Sequence, residues 1–359
     1  FLGYGENLMS KSLYINDLIP MITLSDFQKK SISNLLSDID NKILKLKFNN
    51  CLCKNQNVGN DIIISEKDRY GIPVKNLICS KCGLIRSEKI FDQESNINFY
   101  KYYYRNIYVG LSKPNEKFFD DQINRGVEFL TLLNKYLEIK DINNLLEIGC
   151  GSGGILYPFH KMKLSCTGVD YDEAYMEYGR LKGLSLIYGN YKNIIEDNSV
   201  DLLILSHVME HFSNPIEDMI NVINKVKSNK YLLVEVPGIF IINKIYLSPI
   251  YYLQNAHVFN YYFSYLKVFF ENLGLEIIYG DERCTFILKK PEKWGIPEIN
   301  SIYDDSLKIY PKIINSYIRK TFFQYKYSLS PYVWKRKLIK VLDYFGIKER
   351  IIRILQERK

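Results

Sequence analysis

Apolar and polar positions change register along this chain, and the changes mark its elements. From residue 143 onward, short apolar runs alternate with stretches of helical spacing. The runs are Asn144–Ile148, Ser165–Val169, Leu184–Tyr188, Val200–Leu205 and Tyr231–Val236. Such alternation predicts a doubly wound, parallel α/β sheet. Glu276–Tyr279 and Cys284–Lys289, joined at Gly280-Asp281, read as an antiparallel pair at its edge. Ahead of the sheet, residues 25–47 have helical periodicity with Ser25 as N-cap. Asp61–Ser65 and Val74–Cys79 read as a short ribbon, residues 98–108 are densely aromatic, and an amphipathic helix is predicted near 117–138. Past the sheet, Trp334, Leu338, Val341, Leu342 and Phe345 repeat at helical spacing, as do Ile347, Ile351, Ile354 and Leu355, with Gly346 placed between two helices as a C-cap. Five segments follow: a helical stretch (1–50), a cysteine-bearing module (51–92), an aromatic linker and helix (93–139), the sheet domain (140–290) and a helical extension (291–359).

Composition is that of a globular protein, with 47% hydrophobic and 25% charged residues among 359. No apolar run approaches the ~18 residues that span a bilayer. No secretory signal opens the chain, so a cytoplasmic location is expected. Charge is uneven. Residues 301–359 hold fourteen basic and five acidic side chains, a net +9 against +8 for the whole chain. An anionic partner would meet this tail first. Residues 331–359 carry bases beside apolar stripes, which allows peripheral contact with an anionic membrane. Packing of the stripes against the catalytic domain or a second subunit is the favoured expectation, and the oligomeric state is open.

Of seven cysteines, Cys150, Cys166 and Cys284 stand isolated. Cys51, Cys53, Cys79 and Cys82 form a C-x-C, C-x-x-C pattern, in which two close pairs of thiolates complete a tetrahedral zinc site. Gly83 permits the tight turn after the second pair. Four thiolates leave no open position, so this zinc is expected to be structural.

The candidate chemistry lies at the first two strands of the sheet. Glu147-Ile-Gly149-Cys-Gly151-Ser-Gly153-Gly154 separates a strand from a helix, a loop that lets backbone approach a ligand. Read alone, it also satisfies the dinucleotide pattern G-x-G-x-x-G. Asp170, followed by Tyr171, ends the second strand, where a carboxylate accepts from both ribose hydroxyls of either cofactor. Glu147 separates the alternatives: it suits the cationic amino-acid end of S-adenosylmethionine and repels a pyrophosphate. Asn190 and Tyr191 close the third strand, where an amide reads an adenine edge and aromatics pack the ring. The fourth strand ends in Ser206-His207-Val208-Met209-Glu210-His211.

Together these residues closely resemble class I S-adenosylmethionine-dependent methyltransferases, whose fold is Rossmann-like, over about 140–290. The resemblance implies cofactor contacts from Glu147, Gly149, Gly151, Gly153, Asp170, Tyr171, Asn190, Tyr191, Ser206 and His207. Asn190 departs from the commoner Asp. The four-cysteine module, with Asp68-Arg69-Tyr70-Gly71-Ile72-Pro73, resembles the zinc-containing methyltransferases of sugar and surface-polysaccharide biosynthesis. Gln254-Asn255-Ala256-His257 sits where that group carries a substrate-facing loop. In the keto-sugar C-methylating members this loop usually bears a His-Glu-His cluster, and here only His257 is present, so O-methylation is as consistent as C-methylation.

An acceptor hydroxyl needs a base, and His211 and His257, each following a strand, are equal candidates. Glu210 and Glu235 are available to assist. The aromatic linker is expected to pack between the module and the sheet domain, with a lid over the site as its alternative. The acceptor is expected to be a small molecule or glycan. An RNA acceptor is disfavoured, because the module's surroundings mix charges (Asp61, Glu66, Asp68, Glu88, Asp92) and no NPPY-like motif follows the fourth strand. A non-catalytic scaffold is disfavoured by the intact glycine loop.

Overall fold

The computed structural model describes residues 12–110 and 114–344. The second tail helix and its Gly346 cap lie outside the described residues. Near the N-terminus, Ser25 caps the helix Asp26–Asp40 through a capping box: its Oγ accepts from Gln28 N at 3.2 Å, and Gln28 Oε1 accepts from Ser25 N at 3.0 Å. That helix stops at Asn41, short of the expected 47, and Lys42 turns the chain at φ +59°. The next residues form strand β1 (Leu46–Phe48), paired antiparallel with β5 (Lys89–Phe91). Helical spacing ran on by coincidence, and a distant partner strand took those residues.

Between them lie β2 (Ile62–Lys67), β3 (Pro73–Ile78) and β4 (Ile85–Ser87), which pair antiparallel in sequence. The central sheet follows, from β6 (Asn144–Ile148), β7 (Ser165–Asp170), β8 (Ser185–Tyr188), β9 (Val200–Ser206) and β10 (Val226–Glu235) with β12 (Glu276–Gly280) and β13 (Thr285–Lys289), while β11 (Phe259–Asn260) lies outside it. Seven strands run in the order β12-β13-β10-β9-β6-β7-β8. β6 to β10 are parallel neighbours, whereas β13 is antiparallel to β10 and β12, as the edge pair predicts.

Burial explains why these strands read as unbroken apolar runs. Leu146, Ile148, Leu203, Leu205, Leu232 and Val234 point into one core, and Leu145, Leu202, Ile204 and Leu233 into the other. A period of two with both faces covered leaves few polar positions in the middle of a strand. Each such side chain contributes about 1.5–3 kcal/mol on burial. The strand order reverses at β6, between β7 and β9, which opens a crevice above their C-terminal ends.

The cysteine module is continuous with this domain. β11, from the second half of the chain, extends its sheet to the order β11-β4-β3-β2. The four cysteines share one core with Phe259, Tyr262 and Tyr265. At the C-terminal end, helices Tyr310–Lys326 and Pro331–Tyr344 follow. Val333 is buried, but Trp334, Leu338 and Val341 stand 60%, 58% and 50% exposed. Within the described residues the catalytic domain does not cover these three side chains of the stripe.

Candidate active site

A cavity of about 1140 Å³ occupies the crevice. It is lined by Glu147, Gly149, Asp170, Tyr171, Asn190, Tyr191, Ser206 and His207, together with Glu210, His211, Glu235 and His257. Its size suits a nucleoside cofactor together with an acceptor. Gly151 and Gly153 do not line it.

The glycine loop is shaped by backbone constraint. Gly149 has φ +72°, and a Cβ there would stand 2.5 Å from Val208 Cγ2. Gly151, at φ +55°, lies against the Arg105 guanidinium. The loop runs through turns before the short helix Tyr157–Lys161, so the glycines themselves present no helix N-terminus.

At the end of β6, Glu147 is 1% exposed, and its Oε2 accepts no hydrogen bond. Burial, helped by the nearby Asp170 charge, pushes its carboxyl well above the usual range. An unpartnered acid buried against the cavity is matched by a cationic ligand group. Asp170 Oδ2 accepts from Gly151 N at 2.7 Å and Oδ1 from Asp172 N at 2.9 Å, which fixes the carboxylate at the strand end. Asn190 Oδ1 accepts from Lys192 N at 3.0 Å as a helix cap, so only its NH2 group remains to read a ligand. Tyr191 is buried and its hydroxyl donates to Asp218 O at 3.3 Å.

Lining the same cavity is a cluster of one carboxylate and three imidazoles. Glu210 is buried, and neither of its oxygens accepts a conventional hydrogen bond. Its nearest polar neighbours are His207 Nδ1 at 3.4 Å and the Nε2 atoms of His211 and His257, each at 4.0 Å. His211 Nδ1 is 2.8 Å from the Ala256 carbonyl, which can only accept, so Nδ1 carries the proton and Nε2 the lone pair. His257 makes the equivalent contact to Asn260 Oδ1 at 3.4 Å. Burial pushes His211 below its ordinary pKa and His257 down to about 3. Burial would raise the Glu210 carboxyl, but the surrounding imidazoles hold it down to about 2. At neutral pH the cluster thus holds a carboxylate facing two uncharged rings.

His207 lines the same cavity, and its ring bridges Glu210 and Glu235, with Nε2 3.3 Å from Glu235 Oε1. It adopts φ +56°, an uncommon left-handed backbone that turns the strand end into the cavity. Glu235 also pairs with Arg125 and accepts from Thr285 Oγ1 at 2.8 Å.

The N-terminal half shapes this site. The aromatic linker becomes a helix, a π-helical turn at Tyr100–Tyr104 and a further helical turn. Tyr100 and Tyr104 stand edge-on to His211, with centroids 5.9 and 5.6 Å away. Arg105 pairs with Asp170 at 3.5 Å and Asp172 at 3.3 Å. Asp68 accepts from Tyr70 N, Ile72 N and, through Oδ2, Asn255 N at 3.1 Å, which ties the module to the His257 loop. Ser87 Oγ donates to His257 O at 3.1 Å, and Val258 N donates to Glu210 O at 2.9 Å. Arg105 carried no sequence signal beyond its place in the aromatic run.

The four module cysteines are buried and unbridged, with Sγ atoms 3.4–3.5 Å apart along the chain of contacts Cys82–Cys51–Cys53–Cys79. Four thiolates at about 2.3 Å around one zinc stand ~3.8 Å from one another. Gly83 takes φ +79° in the turn, and its N–H donates to Cys79 O at 2.9 Å.

Residues 120–279 match a family model described as a methyltransferase domain. No curated protein matches the chain. Among solved structures it is similar to an S-adenosylmethionine-dependent methyltransferase from Archaeoglobus fulgidus, at 20% identity over 57% of this chain and 94% of that one, TM-score 0.37. Others come from Methanosarcina mazei (16%, 45% and 97%, TM-score 0.35) and Aquifex aeolicus (18%, 44% and 86%, TM-score 0.34). Residues 120–279 thus match a methyltransferase domain, and the strand order with the crevice above it is that of the class I, Rossmann-like methyltransferase fold.

Proposed function

We propose that the chain transfers a methyl group from S-adenosylmethionine to a sugar acceptor, a nucleotide sugar or surface-polysaccharide precursor, at oxygen or at a carbon beside a carbonyl. The observation that carries this reading is one cavity joining the unpartnered Glu147 and the fixed Asp170 to the Glu210–His211–His257 cluster. When bound, the cofactor supplies an electrophilic methyl on a sulfonium. Glu147 would hold its cationic amino-acid end, and Asp170 would accept from the ribose hydroxyls. Tyr171, Asn190 and Tyr191 would contact the adenine. Tyr100 and Tyr104 exclude water from one side of the cluster, and alignment in a dry site supplies much of the rate of such a displacement. The cluster activates the acceptor.

Cys51, Cys53, Cys79 and Cys82 would hold a structural zinc, which cross-links the module from within the shared core. A methyl-donor turnover screen against nucleotide sugars and the host's polysaccharide precursors tests the reading. S-adenosylhomocysteine release with at least one sugar is expected. Turnover confined to tRNA or rRNA would replace this reading with an RNA-modifying one.

The tail adds a location. Exposed Trp334, Leu338 and Val341, flanked by exposed Lys335 and Lys337, form a stripe that suits an anionic bilayer surface, at about 1 kcal/mol per basic residue near it. No described helix is long and apolar enough to cross a membrane. Flotation with anionic liposomes is expected to recover the protein at low salt and release it at high salt. Equal recovery with neutral liposomes, or none with anionic ones, removes the membrane contact.

A further inference from the structure

We propose that Glu210, His211 and His257 bind a divalent transition-metal ion in the cavity, and that this ion activates the acceptor oxygen. The inference rests on the methyl-transfer reading of the cavity for its purpose, but not for its chemistry. One oxygen of Glu210 and one nitrogen from each histidine lie within 4.8 Å of one another. An ion at about 2.1 Å from each ligand separates ligand atoms by roughly 3 to 4.2 Å. The observed 4.0 Å from Glu210 Oε1 to each Nε2 lies at the upper end of that range, so the three side chains would draw inward by a few tenths of an ångström around an ion.

The donor set has the orientation that a metal requires. Both imidazoles commit Nδ1–H to an oxygen acceptor, Ala256 O for His211 and Asn260 Oδ1 for His257. That outer contact fixes the tautomer and turns each Nε2 lone pair toward Glu210. Two lone pairs and a carboxylate then converge with no donor among them, since neither Glu210 oxygen accepts a hydrogen bond. A buried carboxylate that accepts no hydrogen bond is costly, and a dication removes that penalty. Two imidazoles and one carboxylate suit first-row ions such as manganese, iron, cobalt or zinc, and leave positions open for an acceptor.

Such a site changes the role of the histidines from bases to ligands. An acceptor hydroxyl on an open position would lose its proton to His207, which is half-exposed and lies between Glu210 and Glu235. Its oxygen would then form the new bond to the methyl carbon, while the carbon–sulfur bond breaks and its electron pair stays on sulfur as the thioether.

The test titrates the full-length, chelator-treated protein with Mn2+, counting free ion by electron paramagnetic resonance. Mn2+ favours nitrogen and oxygen ligands over four thiolates, so the cysteine module does not compete. One Mn2+ per chain is expected. Glu210→Gln and His257→Gln should each weaken its binding at least tenfold while S-adenosylmethionine still binds, which shows the pocket intact. In chelator-treated protein that keeps its cysteine-bound zinc, methyl transfer should be lost, and Mn2+ should restore it. Wild-type protein that binds the methyl donor but takes up no Mn2+ overturns the proposal, and so does Mn2+ binding unchanged in both variants. Metal uptake without methyl-donor binding would instead sink the methyl-transfer reading and leave the ion site standing.

Discussion

Asp170→Ala is expected to weaken S-adenosylmethionine binding by roughly 10²–10⁴-fold. The carboxylate would accept from two ribose hydroxyls, and a hydrogen bond to a charged group contributes about 1.5–3 kcal/mol. The structure adds a second loss. Asp170 also receives Gly151 N and faces Arg105, so its removal frees both the glycine loop and the linker that covers it. Asp170→Asn keeps the shape and one acceptor oxygen and should fall between the two. Calorimetric titration of both variants checks this, and an Asp170→Ala protein that binds as wild type does would take the residue out of the site.

The second large effect concerns the module. Cys82→Ser is expected to remove the zinc and lower the melting midpoint by about 10 °C, since a structural zinc contributes several kcal/mol to folding. From sequence, the damage would stay within the module. The structure places Cys82 in the core of the whole chain, where its carbonyl accepts from Tyr262 Oη at 2.6 Å. β4 pairs with β11, three residues from His257 at its far end, and Asp68 and Ser87 hold that same loop. Methyl transfer should therefore fall with zinc loss, while methyl-donor affinity, set by the loops after β6 and β7, changes little. Metal analysis, thermal melting and titration of the variant test each part. A variant with a full complement of zinc and a wild-type melt contradicts the assignment.

What sequence could and could not convey follows from the range of the forces involved. β6, β9 and β10 were legible because burial on both faces writes apolar residues at most positions in the middle of a strand. The capping box at Ser25 was legible because it is closed within four residues. The end of that helix was not, because Leu46–Phe48 answer to β5, some forty residues away. The Glu147 and Asp170 positions could be named because each sits at a fixed step from a strand end. The cluster could not be assembled: Glu210 and His211 are neighbours in sequence, but their relation to His257 depends on Asp68, Ser87 and Tyr108 holding a distant loop. Tyr100, Tyr104 and Arg105 were visible only as an aromatic run, since nothing local states that they face His211 and Asp170. The tail's spacing showed a stripe, and spacing alone does not say whether anything covers it.

The central claim is that the crevice above β6 and β7 takes a sulfonium nucleoside and no dinucleotide. Titrating the wild-type protein with S-adenosylmethionine and, separately, with NAD by calorimetry tests it most directly. One site with micromolar-range affinity for S-adenosylmethionine, on the order of −8 kcal/mol, and no heat with NAD is the expected result. Binding of NAD with none of S-adenosylmethionine would contradict the account.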